Sequence, residues 1–321
     1  MSLIGIDLGG TKLAVAVFSD SGQVTSRETV ALEGRKGPEV GSLITSMVNR
    51  SLSQAVADAV RAIGVSVPGI YRAGTGTVWA PNIPGWDDYP LLHEIQAAAG
   101  DIPVVIDSDR SCYILGEIWQ GNAQGCSDAI FLAVGTGIGA GIVIDDRVIR
   151  GSAGIAGAIG WLALDRPYAS KYDPCGCFEY HASGEGIAKV AREILGRHPD
   201  YTGELSAKPA ASLTAADVFR ALDNGDPVAA EVLEQAIAFW GMAVANLVSL
   251  FNPQKIIFGG GVFGPALRFL PGIREEARKW AQPISFTQVT LEPSGLGSDA
   301  GVYGAGYLAL KHLESLTVNA S

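Results

Sequence analysis

Two stretches of this chain are written to the same plan. IGIDLGGTKLAVAVF (residues 4–18) and IFLAVGTGIGAGIVI (residues 130–144) each read as an apolar β-run, a glycine turn holding a threonine, and a returning β-run. A tight antiparallel hairpin satisfies that pattern. Meeting it once in each half of the sequence predicts a duplicated architecture with a cleft between the halves. A third glycine run, Gly259-Gly260-Gly261, follows the β-run Lys255–Phe258. Glycine supplies 41 of the 321 residues, about 13% against about 7% in most proteins, and no G-x-y period absorbs it. Turns without Cβ atoms let successive N–H groups converge on an anion. Three such turns at strand ends predict a nucleotide site, with phosphates at the first two and the nucleoside near the third. None matches G-x-x-x-x-G-K-[ST] or G-x-G-x-x-G, so neither a Walker loop nor a dinucleotide fold is indicated.

The rest of the chain alternates strand and helix, which argues for α/β layering, and its length allows roughly two domains. Strands are predicted at 63–67, 102–106, 129–134, 141–144 and 255–258. Helices are predicted at 39–62, 91–99, 111–120, 186–198, 214–222, 227–250, 265–280 and 301–310. Residues 71–89 read as a structured loop and 199–213 as a polar connection. The expected division is a first domain of residues 1–108, completed by a C-terminal helix at 298–318, and a second domain of residues 109–297. The longest uncharged stretch, 236–254, carries Asn246, Ser249 and Asn252 and reads as a buried helix, not a membrane span.

Twenty-three basic residues against 33 acidic ones leave a net charge of −10. No Lys/Arg cluster offers the counterion-displacing surface that a duplex requires, so no nucleic-acid partner is expected. Cysteines at 112, 126, 175 and 177 are too few for a disulfide scaffold and read as thiols in a reducing compartment. The opening MSLIGIDLGG has no basic n-region, which predicts a cytoplasmic protein.

Several side chains stand beside the glycine turns. Lys12, after Thr11 on the first turn, can offset charge on a transferring phosphoryl group. Asp7, two residues before Gly9 and Gly10, is the carboxylate placed for Mg²⁺, directly or through water. VVIDSDRSCYILGE runs from a strand into a helix and leaves Asp107 and Asp109 where a strand ends. One of them can take the proton of an attacking hydroxyl while the other N-caps the helix. Spacing does not separate the two.

Over essentially its whole length the sequence resembles the ROK family of sugar kinases and sugar-responsive repressors, within the actin-like and hexokinase-like ATPases. The residues that carry the resemblance are IGIDLGGTK at 4–12, SVPG at 66–69, APNIPGW at 80–86, VGTGIGAG at 134–141, GCFE at 176–179, NLVSLFNPQKIIFGGGV at 246–262 and SDAGVYGAGYLAL at 298–310. The resemblance implies an α/β fold of two actin-like (ribonuclease H-like) domains closing on ATP, Mg²⁺ and a hexose-like acceptor, and a homodimer. It places the nucleotide on Gly9, Gly10, Thr11, Lys12, Gly135, Thr136, Gly137, Gly259, Gly260 and Gly261. Repressors of the family carry a further N-terminal helix-turn-helix; a kinase strand opening at residue 3 leaves no room for one.

The family's catalytic stretch, NDANxxALGE, falls on residues 108–117. It assigns the base to Asp109 and puts Ser108 and Ser111 where relatives have asparagine. The pattern AGEIGH falls on residues 156–161, so Ala158 replaces a sugar-gripping glutamate and Trp161 a histidine that touches sugar and ligates zinc. Of the zinc pattern CxCGxxGCxE only Cys177 keeps a ligand position, with Cys175 out of register, so structural zinc is not expected. Glu179 survives as the third sugar carboxylate, and Gly69 and Asn82 match positions near the acceptor. His181 reads as a surface or capping residue. Trp86 and Trp161 either stack on a sugar or pack. The combined expectation is an ATP-dependent sugar kinase with Asp109 as base, whose acceptor is a modified hexose, amino sugar or cyclitol in place of plain glucose. The alternatives are an ordinary glucokinase with a compensated pocket and a non-catalytic sugar- or nucleotide-binding protein.

Overall fold

The computed structural model describes residues 2–54 and 60–319. The chain divides into two compact units. The first comprises Met1–Gly125, Val148–Ala156 and Ser294–Ser321, and the second Cys126–Arg147 and Gly157–Pro293.

In the first unit the opening hairpin forms as expected: β1 (Ser2–Leu8) pairs antiparallel with β2 (Lys12–Ser19) in an unbroken register from Ser2↔Ser19 to Leu8↔Leu13. β3 (Val24–Ala31) extends the sheet at one edge, and β4 (Val60–Val67) and β7 (Val104–Ser108) add parallel strands at the other, giving the order β3-β2-β1-β4-β7. Residues 60–62 are therefore strand, not the tail of a helix. The helix predicted over 39–62 is α1 (Pro38–Gln54), and residues 55–59 of that prediction lie outside the described residues. The loop at 71–89 contains a small hairpin, β5 (Ile70–Arg72) with β6 (Thr77–Trp79), and then leads to α2 (Leu91–Ala99). α3 (Asp109–Gln120) follows β7 directly.

The last helix, α10 (Ala300–Asn319), lies flush on β1 and β4, because a side chain at Gly64 would strike the Ala305 carbonyl. α3 packs along α10. That contact places α3 in the first unit, so the division falls after Gly125 and not at the expected 108/109 boundary.

The second unit repeats the plan. β8 (Ala129–Val134) pairs antiparallel with β9 (Ile138–Ile144), and β11 (Lys255–Gly259) and β12 (Thr290–Pro293) add parallel strands. With β10 (Arg147–Val148) the order is β10-β9-β8-β11-β12, the same arrangement as in the first sheet. The duplication read from the two hairpins thus extends to the whole sheet. Around it lie α4 (Cys177–Ala182), α5 (Gly184–Arg197), α6 (Ala215–Asp223), α7 (Pro227–Phe251), α8 (Leu270–Trp280) and α9 (Pro283–Gln288). α7 opens on Asp226, whose side chain accepts from the Val228 and Ala229 N–H groups, with proline at its first position. Among the described residues it is the one helix long and apolar enough to cross a membrane. It is spent on the core instead, where Val232, Ala236, Trp240, Val244 and Val248 are sealed.

Candidate active site

In the first unit several of the expected residues gather at the strand ends. Asp7, near the end of β1, accepts a 2.7 Å hydrogen bond from Ser66 Oγ on β4. A side chain at Gly301, in the first turn of α10, would collide with the Asp7 carboxylate. Burial pushes Asp7 up to about 6, against the pull of Ser66 and with a further push from the charge of Asp109. In the first glycine turn Gly9 N–H is taken by Lys12 C=O at 2.9 Å, while Gly10 and Thr11 are exposed. Their amides make no backbone hydrogen bond among the described residues, as an anion site requires. Asn82 lies against this turn, its Cβ 3.5 Å from where a side chain on Gly10 would begin.

The two aspartates that spacing could not separate have different surroundings. Asp107 is buried and ion-paired: Arg150 reaches its Oδ2 through Nη2 at 2.7 Å and Nε at 2.8 Å, and Ser108 N–H donates to its Oδ1 at 2.8 Å. A carboxylate held by a guanidinium and an amide is a poor proton acceptor. Among the described residues Asp109 has no such cation on its oxygens. It opens α3, with Arg110 N–H on Oδ1 at 2.8 Å, Ser108 Oγ at 3.3 Å and Tyr113 OH on Oδ2 at 3.4 Å. Burial raises its proton affinity above that of an ordinary aspartate, against the smaller effects of the Arg110 charge and these hydrogen bonds. The capping role belongs to Ser108, whose Oγ accepts from Arg110 N–H at 3.3 Å and from Arg110 Nε at 3.2 Å.

Sequence reasoning missed Tyr113 and Arg150. Tyr113 was legible as the i+4 neighbour of Asp109 on a helix. Arg150 is distant in sequence and announces itself by no motif.

In the second unit the other two glycine turns line one cavity of about 880 Å³. Gly135 N–H closes the second turn on Gly137 C=O, and the Gly135 and Thr136 carbonyls accept from Gly184 and Glu185 at the start of α5. The Thr136 and Gly137 amides are left without a backbone partner among the described residues. At Gly260 φ is +90°, and a side chain would strike the Val134 carbonyl. Gly135 and Gly261 are different. Neither has a left-handed φ, and nothing lies within 4 Å of a Cβ built on either. Packing does not require glycine at these two cavity-lining positions, and the absence of a side chain keeps that part of the cavity open. Leu213, Phe219 and Val262 give the cavity an apolar wall, and Arg192 and Glu185 supply polar groups, the mixture that a base, a ribose and phosphates need. Much of that wall comes from residues 211–219, where the sequence indicated only a polar connection followed by a helix.

The acceptor-side residues of this unit are close by. Ile138 N–H donates to Glu179 Oε2 at 2.7 Å, and burial raises the Glu179 carboxyl. Ala158 precedes a 3-10 turn, Ile159–Trp161, on which Trp161 is 59% exposed. Gly176 packs directly beneath that turn, with a hypothetical side chain 2.6 Å from Trp161 Cα. Cys175 and Cys177 are free thiols, and among the described residues no three His, Cys, Asp or Glu side chains come together to hold a metal.

One open alternative is decided, one expectation is corrected, and one glycine has a packing reason besides its expected place near the acceptor. Trp86 is 1% exposed, donates to Gly37 C=O and stacks on Tyr89 at 4.4 Å, so it is core and faces no sugar. His181 is neither surface nor cap: it is buried, stacked on Phe239 at 4.2 Å and bonded to Tyr172 OH at 3.0 Å. Gly69 is glycine because a side chain there would hit the Trp79 carbonyl.

Comparison with known proteins agrees with the fold and identifies the family. The profile of the ROK family matches residues 3–312. A glucokinase from Halalkalibacterium halodurans is 31% identical over 98% of this chain and 96% of its own. The crystal structure of a ROK hexokinase from Thermus thermophilus superposes with a TM-score of 0.80 at 30% identity, covering 98% of this chain and all of that one. A ROK glucokinase from Streptomyces griseus, solved with glucose and AMPPNP, gives a TM-score of 0.74 at 29% identity over 97% of this chain and all of that one. The two α/β units are those of the actin-like ATPases, and the chain belongs to the ROK family.

Proposed function

We propose that this chain transfers the γ-phosphoryl group of ATP to a hydroxyl of a hexose-like acceptor, with Asp109 as the general base. The chain is an enzyme, a sugar kinase of the ROK family. The observation that carries the assignment of the base is the contrast between two neighbouring aspartates: Asp107 is neutralised by Arg150, while Asp109 has no ion-pair partner among the described residues and has raised proton affinity.

Asp109 accepts the proton of the acceptor hydroxyl as that oxygen attacks phosphorus. Tyr113 and Arg110 N–H hold the carboxylate in one orientation while it does so. Lys12 and the free amides of the glycine turns offset the charge that builds on the transferring group. Asp7 is the carboxylate suited to the Mg²⁺ that accompanies the triphosphate, since a cation relieves the burial that raises its pKa. The apolar wall at Leu213 and Phe219 receives the base.

On the acceptor side, Ala158 and Trp161 offer neither the carboxylate nor the imidazole that the family pattern calls for. Glucose hydroxyls facing them go unpaired, at about 1–3 kcal/mol for each buried group. The reading is therefore an acceptor that presents something less polar there: a deoxy, amino or otherwise modified hexose, or a cyclitol. A homodimer in the cytoplasm belongs to the same reading.

The test is acceptor-dependent ADP release over a panel of hexoses and modified hexoses, with Asp109→Asn alongside. Removing the base is expected to lower kcat by about 10²–10⁴-fold without lowering the melting temperature. An asparagine variant keeping a tenth or more of wild-type kcat overturns the base assignment. Glucose outperforming every modified sugar by tenfold or more overturns the specificity.

A further inference from the structure

The carboxylate that the family pattern places on the acceptor side is fastened here to the donor's glycine turn. Glu179 Oε2 accepts from Ile138 N–H at 2.7 Å, at the junction of the second glycine turn and β9. The same oxygen lies over Gly137, 2.7 Å from where a Cβ on that residue would stand. It also lies 3.0 Å from the corresponding point on Gly160, and the Glu179 stem is 2.9 Å from it. Gly160 belongs to the 3-10 turn that carries Trp161 and follows Ala158. One side chain therefore wedges between the turn that offers the Thr136 and Gly137 amides and the turn that bears the rewritten acceptor positions. Its other oxygen, Oε1, makes no hydrogen bond among the described residues. A carboxylate serving only as a sugar ligand has no need of an amide bond to the phosphate turn, nor of two glycines cleared of side chains around it.

We propose that Glu179 is a positioning residue that couples the two substrates. Oε2 fixes the Gly137–Ile138 peptide, and so the direction of the phosphate-binding amides, while Oε1 is left for an acceptor hydroxyl. This rests on the kinase reading above. Because a single rigid group spans both contacts, an acceptor that orders Glu179 also orders the phosphate turn, and the effect is reciprocal: nucleotide tightens acceptor binding by the same factor.

The test is calorimetric titration of a non-hydrolysable ATP analogue with Mg²⁺, in the absence of any acceptor. Glu179→Ala is expected to weaken nucleotide binding about tenfold, the usual consequence of losing a charge-assisted hydrogen bond that preorganises a site. Glu179→Gln keeps an amide oxygen for Ile138 N–H. It is expected to hold nucleotide affinity within about threefold of wild type while its acceptor KM rises.

Gly137→Ala approaches the same contact from the other side. Its Cβ displaces Oε2 and weakens nucleotide binding in the wild-type background, but adds little once Glu179→Ala has vacated the space. If Glu179→Ala melts below the assay temperature, Gly137→Ala and Glu179→Gln decide the matter, the first expected to be weak and the second near wild type. Nucleotide affinity unchanged in Glu179→Ala, or strictly additive losses in the cycle, overturns the coupling and leaves the kinase reading intact. A wild-type protein that binds no nucleotide removes both.

Discussion

Asp7 is a carboxylate kept where an uncharged side chain would be more stable, and that cost is measurable. Its proton affinity rises from an ordinary 3.8 to about 6 on folding, chiefly through burial. At about 1.4 kcal/mol for each tenfold change in proton affinity, the ionised form costs the folded state at most about 3 kcal/mol. Two features reduce this. Asp7 is only half-buried by its surface, and the N-terminal end of α10 approaches it at Gly301, which favours an anion by about 0.3–1 kcal/mol. A net gain of about 1–2 kcal/mol is therefore expected for Asp7→Asn, which keeps an oxygen to accept the Ser66 hydrogen bond.

The sign follows from the direction of the shift. The folded state binds the proton more tightly, so the stability this group contributes is complete below pH 3.8 and lost as pH rises through about 6. The advantage of Asp7→Asn should be full at pH 8 and shrink to a small fraction by pH 4. Differential scanning calorimetry of both proteins across that range measures it, as a rise in melting temperature of a few degrees at pH 8, about 2–4 °C per kcal/mol. The same variant should lose two to three orders of magnitude in kcat/KM, about the share expected of a group that sites the metal. It should also be stabilised less by Mg²⁺-ATP than wild type. A variant no more stable than wild type at pH 8, or a gap that does not change with pH, refutes the argument.

Arg150→Ala leaves Asp107 buried without its cation. The loss for a sealed pair is about 3–5 kcal/mol, and with half of the arginine side chain in solvent about 2 kcal/mol is expected by urea denaturation at pH 7. Gly261→Ala projects a methyl group into open cavity; the melting temperature should hold within about 1 °C while the KM for ATP rises tenfold or more. Replacing Ala158 by glutamate together with Trp161 by histidine restores two polar partners worth about 1–3 kcal/mol each. That double variant should raise kcat/KM for glucose at least tenfold with the KM for ATP within twofold, and a parallel change in both constants would contradict it.

What could be read in advance was whatever the backbone dictates locally. The glycine turns, both hairpins, α2 and the buried α7 follow from turn chemistry and apolar periodicity, which need no tertiary information. β3 escaped because VTSRETVA lies at a sheet edge and is mostly exposed, so it lacks an apolar face to betray it. β4 swallowed the last residues assigned to a helix because VRAIGVSV is buried at all but one position and so shows neither period clearly. At the site the divide is the same. The turns announced themselves, while the Arg150 partner of Asp107 and the Phe219 wall come from segments remote in sequence and joined only by the fold. His181 misled because α4 is short, and its burial depends on Phe239 of α7 and Tyr172, not on its own neighbours.

The donor and acceptor sides are built from different material, and this determines which of them can change. In the proposed function phosphate is offered main-chain amides at Gly10, Thr11, Thr136 and Gly137, and no substitution removes a main-chain N–H group short of proline. A mutation can only spoil such a turn by crowding it, as at Gly261. The acceptor is offered side chains, which substitution rewrites one at a time, and positions 158 and 161 are where this chain departs from the family pattern while its three glycine turns stay whole. In the coupling proposed above Glu179 is the exception, because it serves both sides. A replacement without a side-chain carbonyl loses the Ile138 amide as well as the acceptor, and glutamine, which keeps that amide, still costs the acceptor, so acceptor preference in this scaffold should drift through 158 and 161 while 179 remains glutamate.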